Sequence, residues 1–321
     1  MKNTTIEFNY DLGDGSSPLH LCSLDPEISS NDLSQMCSSI DGAINGLNIS
    51  KLEETLKKIA VFKNIEELLI EVFDNEYEVP NPLKPYREAL EETLSKKGMF
   101  NGSIMVVAGG VSLPLTTKKG GYFDFKATTP KAIPAELLPD EYPIGKTIKE
   151  LLPIYNLCLD DLARYFAFAF VLLPENGEKI SLVKRAKGLG ISADCIAFSG
   201  GTPEFPKDHN KEDFNITDYF KNIILTEMVE EYKLNANEIN IGSSYFTDDR
   251  DTIPFLSVEI ITPLSLKEIA QRCYGNLESI KEHPVILSAD FNSIPRLINN
   301  FAMLPSTAYV LSQIYEHKQN K

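Results

Sequence analysis

The sequence predicts an α/β (α+β) fold, a mixed sheet with a long helix beside it, and three observations predict it. Apolar or alternating runs of strand length recur from Met99 onward, among them SIMVVAGG, ARYFAFAFVLLP and IPFLSVEII. One long amphipathic segment, Asn215 to Leu234, interrupts them with helical spacing. The 321 residues, 43% of them hydrophobic, suffice to bury the core of one large domain, or of a catalytic domain with a smaller partner.

Taken in order, residues 1–30 offer one strand, Thr5 to Tyr10, and then turn-forming Gly, Ser and Pro. From Lys51 to Asp74 apolar residues fall at Leu52, Leu56, Ile59, Val61, Phe62, Ile65, Leu68, Leu69 and Val72, a spacing that predicts a helix. The prolines of VPNPLKP end it, and a second short helix is expected over Tyr86 to Lys96. Residues 1–95 are therefore expected as a mainly helical region. Residues 96–321 form the second expected unit, a β subregion at 96–160 and a core at 161–321.

Within that unit Ser103 to Gly110 and Tyr122 to Thr128 read as strands, and a helix covers part of Thr147 to Tyr155. Ala163 to Pro174 has the aromatic, apolar texture of a central strand. ENGE supplies a turn and KISLVKRA a second strand, which predicts a hairpin. ADCIAFSGG gives a further strand ending on two glycines. Asn215 suits a helix N-cap, with Asp218 placed as in a capping box. Beyond the helix INIGSSYF, IPFLSVEII and PVILSADF predict three strands, and Pro305 to His317 a closing helix. There is no internal repeat.

The formal charge of −15 and a pI near 4.8 oppose binding to a polyphosphate backbone, and no basic stripe offsets them, so a nucleic-acid partner is not expected. No apolar run approaches the roughly 20 residues of a membrane span and the first residues lack a signal-peptide core, so no membrane association is expected and the cytoplasm is the expected compartment. Cys22, Cys37, Cys158, Cys195 and Cys273 lie far apart without a C-x-x-C pair, which predicts free thiols. His20, His209, His283 and His317 match no zinc spacing. Ser199 lacks the G-x-S-x-G frame of a nucleophile elbow.

The residues that carry chemistry are Glu227, Glu230 and Glu231. At i, i+3 and i+4 on a helix they point toward one side, where three like charges repel unless a hard cation such as Mg²⁺ turns repulsion into coordination. A solvated acidic helix face accounts for the same residues. The context is a strand ending in Ser199, Gly200 and Gly201, a loop, and then the helix.

SGGTPE followed by ILTEMVEEYKL resembles a degenerate Nudix box, whose pattern is Gly-x5-Glu-x7-Arg-Glu-U-x-Glu-Glu-x-Gly-U with U aliphatic. The box glycine falls on Gly201, the first helix glutamate on Glu227, the paired glutamates on Glu230 and Glu231, and the last U on Leu234. Thr226 stands in place of the arginine, Lys233 in place of the glycine and Lys207 in place of the loop glutamate, with Glu204 as its nearest substitute, and the loop is longer than the pattern. FNG at Phe100, Leu113 to Leu115, Tyr122 to Asp124 and the Ala127-Thr128 pair are similar to the Nudix-like UDP-sugar diphosphatases, over Phe100 to His317. The resemblance implies a Nudix-type mixed-sheet α/β/α sandwich and a pyrophosphohydrolase with Mg²⁺, or Mn²⁺ in its place. It implies a small-molecule nucleotide substrate, UDP-sugar cleaved to UMP and sugar 1-phosphate, with Glu227, Glu230 and Glu231 as metal-binding and catalytic residues.

Among substrate-binding candidates, Arg185 suits bidentate contact with a phosphate and Lys184 precedes it. Gly200, Gly201, Glu204 and Tyr122 complete the set, Tyr122 as a stacking surface for a base. The stretch Lys187 to Gly190 reads as a turn, Thr247 to Asp251 as a solvated hairpin tip, and Glu259 as either a further metal oxygen or an outward-facing residue. Two other functions stay open: a nucleotide-binding regulatory module whose box has decayed, and a structural protein whose glutamates are only a solvated face. A homodimer contact, a lid and a partner-docking surface are all open to residues 1–95.

Overall fold

A computed structural model describes residues 5–13, 15, 17–40, 49–96, 98–107, 109–129, 147–186, 195–250 and 253–319. The predicted turn at Lys187 to Gly190 lies outside them. Two strands open the chain, β1 (Glu7–Tyr10) and β2 (Leu19–Ser23), followed by helices α1 (Ser30–Ile40) and α2 (Ile49–Leu52). Strand β3 (Leu56–Phe62) and strand β4 (Ile70–Glu76) precede α3 (Lys84–Lys96), β5 (Ser103–Val107), β6 (Leu115–Gly121), α4 (Tyr122–Thr128) and α5 (Ile148–Leu151). Then come β7 (Arg164–Tyr165), β8 (Ala167–Leu173), the single turn α6 (Pro174–Gly177), β9 (Lys179–Lys184), β10 (Ile196–Ala197), β11 (Ser199–Gly201) and α7 (Ile216–Tyr232). The chain closes with β12 (Asn240–Asp249), β13 (Pro254–Ile261), α8 (Leu266–Cys273), α9 (Leu277–Glu282), β14 (Val285–Asp290), α10 (Ile294–Asn300) and α11 (Pro305–Gln319).

The strands form three sheets, ordered β1-β2-β14-β9-β10, β11-β8-β13-β12-β3 and β4-β6-β5-β7. The second sheet is mixed, because β13 runs parallel to β8 while its other pairs are antiparallel. Strand alternation divides β8 between two cores. Phe168, Phe170 and Leu172 face Phe220, Ile224 and Met228 of α7, whereas Val171 and Leu173 face a core holding Leu33 of α1, Leu297 of α10 and Leu311 of α11. Strand β14 divides likewise, Ile286 to the first core and Leu287 to the second. Helices thus cover both faces of the two large sheets, the α/β/α arrangement that the resemblance implied. Among the described residues no helix is long and apolar enough to cross a membrane.

Several local expectations are corrected. Lys51 to Asp74 is not a helix: β3 pairs with β12, β4 pairs with β6, and a 3-10 turn at Ile65–Glu67 lies between. Each strand is seven residues long, too short for periodicity to separate strand from helix, and the sheet edges decide. Residues 1–95 are accordingly not mainly helical, since β1 and β2 enter the first sheet, β3 the second and β4 the third. Tyr122 to Thr128 is helix α4 rather than a strand. Asp124 accepts the Gly121 N–H at 2.8 Å and caps the helix, and Arg87 Nε holds the same carboxylate at 2.9 Å.

The hairpin expected across ENGE does not form, because β8 and β9 lie in different sheets. Glu175, Asn176 and Gly177 all take positive φ, which carries the chain out of the plane of β8. ADCIAFSGG likewise splits into β10 of the first sheet and β11 of the second. The first part of the expected solvated tip is inside: Thr247 and Asp248 are buried in β12, with Asp248 paired to the buried Arg164 guanidinium, whereas Arg250 is exposed as expected and Asp251 lies outside the described residues.

Candidate functional site

Helix α7 begins where Asn215 Oδ1 accepts the N–H groups of Thr217 (2.9 Å) and Asp218 (3.1 Å), and ends at Lys233 in the left-handed conformation. Its buried residues, Phe220, Ile224, Met228 and Tyr232, are spaced by four. Each step of four rotates by roughly 40° relative to the last, so the stripe winds slowly round the helix and has Glu227 and Glu231 on its flank. Those two glutamates are half-buried, while Glu230 is exposed.

The partner of this flank is β11. It pairs antiparallel with β8, Gly201 opposite Phe168, and brings its last residue against Glu227, whose Oε1 would stand 3.0 Å from a Cβ at Gly201. Gly200 is constrained differently, since a Cβ there would meet the backbone oxygen of Phe168 at 2.4 Å. Ser199 is buried beside Glu231, and although neither Ser199 Oγ nor Glu231 Oε2 makes a hydrogen bond of good geometry, the hydroxyl lies close enough to favour the charged carboxylate.

Burial pushes the Glu231 carboxyl up to about 8, helped by the negative charges of Glu227 and Glu282, while Ser199 and the Arg185 cation act the other way. Burial also raises Glu227, with Glu230 and Glu282 adding to the effect and Glu231 opposing it. Glu282, the last residue of α9, is therefore a fourth carboxylate facing this cluster. The sequence reading missed it because it stands far from the helix in a segment without a motif. An acidic residue two positions before the predicted strand PVILSADF was the available signal.

The structure brings together Gly201, Glu227, Glu231 and Arg185. Lys184 is buried in β9 between Ile196 and Val285 and, by alternation, faces away from Arg185. Glu204 is exposed, bridges Ile104 through its backbone and accepts the Tyr219 hydroxyl at its carbonyl (2.6 Å). Tyr122 is the first residue of α4, with its ring beside Phe123 and Phe125 and below Lys126 Nζ. Glu259 is buried, accepting the Tyr245 hydroxyl at 3.0 Å on the face of the second sheet away from α7.

The donor set around Glu231 is all oxygen, which suits a hard divalent cation rather than zinc, and its orphaned Oε2 is an unused ligand atom. As the side chains stand, no group of three or more His, Cys, Asp or Glu among the described residues is arranged to hold a metal ion. Glu230 and Glu282 are both exposed.

No protein-family model matches the chain, and no curated protein matches it. Parts of its backbone resemble solved structures. A Deinococcus radiodurans protein is 9% identical, covering 47% of this chain and 82% of its own at a TM-score of 0.34. MutT from Methanosarcina mazei is 13% identical, covering 49% and 95% at 0.31. The Nudix domain of Shewanella oneidensis NrtR, solved with ADP ribose, is 13% identical, covering 48% and 87% at 0.30. At such values the similarity is one of partial backbone course, and the chemistry has to come from the residues themselves.

Proposed function

We propose that this chain is a Nudix-type pyrophosphohydrolase that cleaves, with Mg²⁺ or Mn²⁺, the pyrophosphate bond of a nucleoside diphosphate linked to another moiety. UDP-sugar is the favoured substrate, giving UMP and sugar 1-phosphate. The observation that supports this most directly is Glu231, a half-buried carboxylate with an unpartnered oxygen, crowded by Glu227 and Glu282 and facing Arg185. A desolvated anion among like charges is costly by itself and becomes favourable around a cation.

Glu230 and Glu231 would hold the metal, and Glu227 would hold it or orient the attacking water. The bound cation would neutralise the pyrophosphate and polarise the phosphorus under attack. Arg185 binds a phosphate oxygen and opposes the charge that grows on it. Gly200 and Gly201 let β11 run against β8 and Glu227 without a side chain in between. Water adds to one phosphorus, the bond from that phosphorus to the bridging oxygen breaks, and the second phosphate leaves with that oxygen.

The test is release of UMP and sugar 1-phosphate from a panel of UDP-sugars and other nucleoside diphosphate conjugates, with and without Mg²⁺, for wild type and Glu231→Gln. Magnesium-dependent cleavage lost in the variant supports the reading, and equal turnover in the variant sinks it. A second reading, a decayed nucleotide-binding module, draws support from the unconverged carboxylates and the exposed Glu204. It predicts nucleotide binding without cleavage of any conjugate.

A further inference from the structure

Strands β9 and β14 pair antiparallel with Lys184 opposite Val285, and just beyond that pair Ala186 N–H donates to the Glu282 carbonyl at 3.1 Å. This end of the ladder sets Arg185 beside the segment that carries His283. His283 is 1% exposed, and its ring stacks on Tyr232 of α7 with centroids 5.2 Å apart and planes at 26°. Its Nε2 is buried without a hydrogen-bond partner, and so is Arg185 Nε. An arginine Nε–H can only donate, and an imidazole nitrogen without a proton can only accept, so the two orphaned atoms are complementary. Leaving both unmade costs each its desolvation. Burial, with the Arg185 charge, holds the His283 ring down to about 4, which keeps it neutral with a lone pair available.

We propose that His283 is a positioning residue, whose Nε2 accepts the Arg185 Nε–H and so fixes the guanidinium with its outer nitrogens toward Glu231 and a bound phosphate. Rotation of the two side chains would bring the orphaned donor and acceptor together. Glu231 acts on Arg185 through charge and makes no direct ion pair with it among the described residues, so it does not by itself orient the fork. The inference rests on the pyrophosphohydrolase reading only for the identity of the anion.

Nitrogen-15 spectra of the full chain test the pairing without any substrate. In wild type His283 Nε2 is expected unprotonated, and an Arg185 Nε–H signal, assigned by its loss in Arg185→Lys, is expected to be protected from exchange. That protection disappears in His283→Phe, which keeps a ring on Tyr232, and returns in His283→Gln, whose amide oxygen is an acceptor. Titration with inorganic pyrophosphate and Mg²⁺ should be weakened roughly tenfold in His283→Phe and restored in His283→Gln, since a hydrogen bond to a charged group is lost and regained. In the Arg185→Lys background the Phe substitution should add nothing, because lysine has no Nε–H to place.

A protonated Nε2 in wild type, or fully additive effects of His283→Phe and Arg185→Lys, would overturn the proposal. Absence of pyrophosphate binding by wild type would instead count against the functional reading, with the spectra still deciding the pairing. Should His283→Phe not fold, the wild-type spectra and His283→Gln decide it.

Discussion

Gly201 lies against Glu227 so closely that a Cβ on the glycine would stand 3.0 Å from the carboxylate Oε1. The end of β11 and the first glutamate of the α7 cluster are thus a single packed unit. The space that a side chain would fill is taken by a carboxylate, and burial and neighbouring charges raise that carboxylate above its usual range.

The two glycines should therefore separate in their effects. Gly201→Ala meets only the end of a flexible side chain, so its stability cost should stay within about 1 kcal/mol while turnover falls roughly tenfold through displacement of Glu227. Gly200→Ala meets the Phe168 carbonyl at 2.4 Å, and β11 must shift. It should lose about 1–3 kcal/mol in urea denaturation.

Glu231→Gln should lower turnover by roughly 10²-fold or more while making the metal-free protein more stable near neutral pH. With the carboxyl at about 8 in the folded chain against 4.5 for a freely solvated glutamate, the folded protein binds the more protons between those values. Stability of metal-free wild type is then full below the lower value and falls as pH rises toward the upper one. Thermal melts across that window should show the decline in wild type and a shallower one in the variant. An equal slope in both would assign it elsewhere.

On the proposed reading, magnesium would compete with the same proton. Thermal stabilisation by a fixed Mg²⁺ concentration should grow from about pH 6 to about pH 8, because binding needs Glu231 ionised, and should be largely absent in Glu231→Gln. Stabilisation that does not vary with pH would place the cation away from this carboxylate.

Arg164 and Asp248 tie β7 to β12 inside the protein, their side chains 5% and 10% exposed. Arg164 also donates to the Asp249 carbonyl at 2.8 Å. Asp248→Ala leaves a buried guanidinium without its counter-charge and should cost about 3–5 kcal/mol, whereas Arg164→Met with Asp248→Leu should recover most of it. Chemical denaturation of these variants beside wild type checks this.

Much of the second half of the chain was legible from local signals. Asn215 caps α7 as expected, because an N-cap acts on N–H groups two and three residues away, and β13 and β14 carry short apolar runs bounded by turn residues, the texture of a strand in a buried sheet. Segments whose texture suits two states were not legible. Leu56 to Phe62 became a strand because the edge of β12 supplied its partners, and Tyr122 to Thr128 became a helix because Asp124 could cap it while Arg87, far away in sequence, held the cap.

The sequence by itself determined that Glu227, Glu230 and Glu231 share one side of a helix, since helical geometry depends only on spacing. It also determined the high acidity and the glycine pair before that helix. Only the tertiary structure decided that Glu231 is half-buried while Glu230 is exposed, that Gly201 touches Glu227, and that Arg185, Glu282 and His283 gather around them. The reason is that burial and charge proximity arise when β9, β11, β14, α7 and α9 pack, and those elements meet across sequence separations that no local pattern encodes.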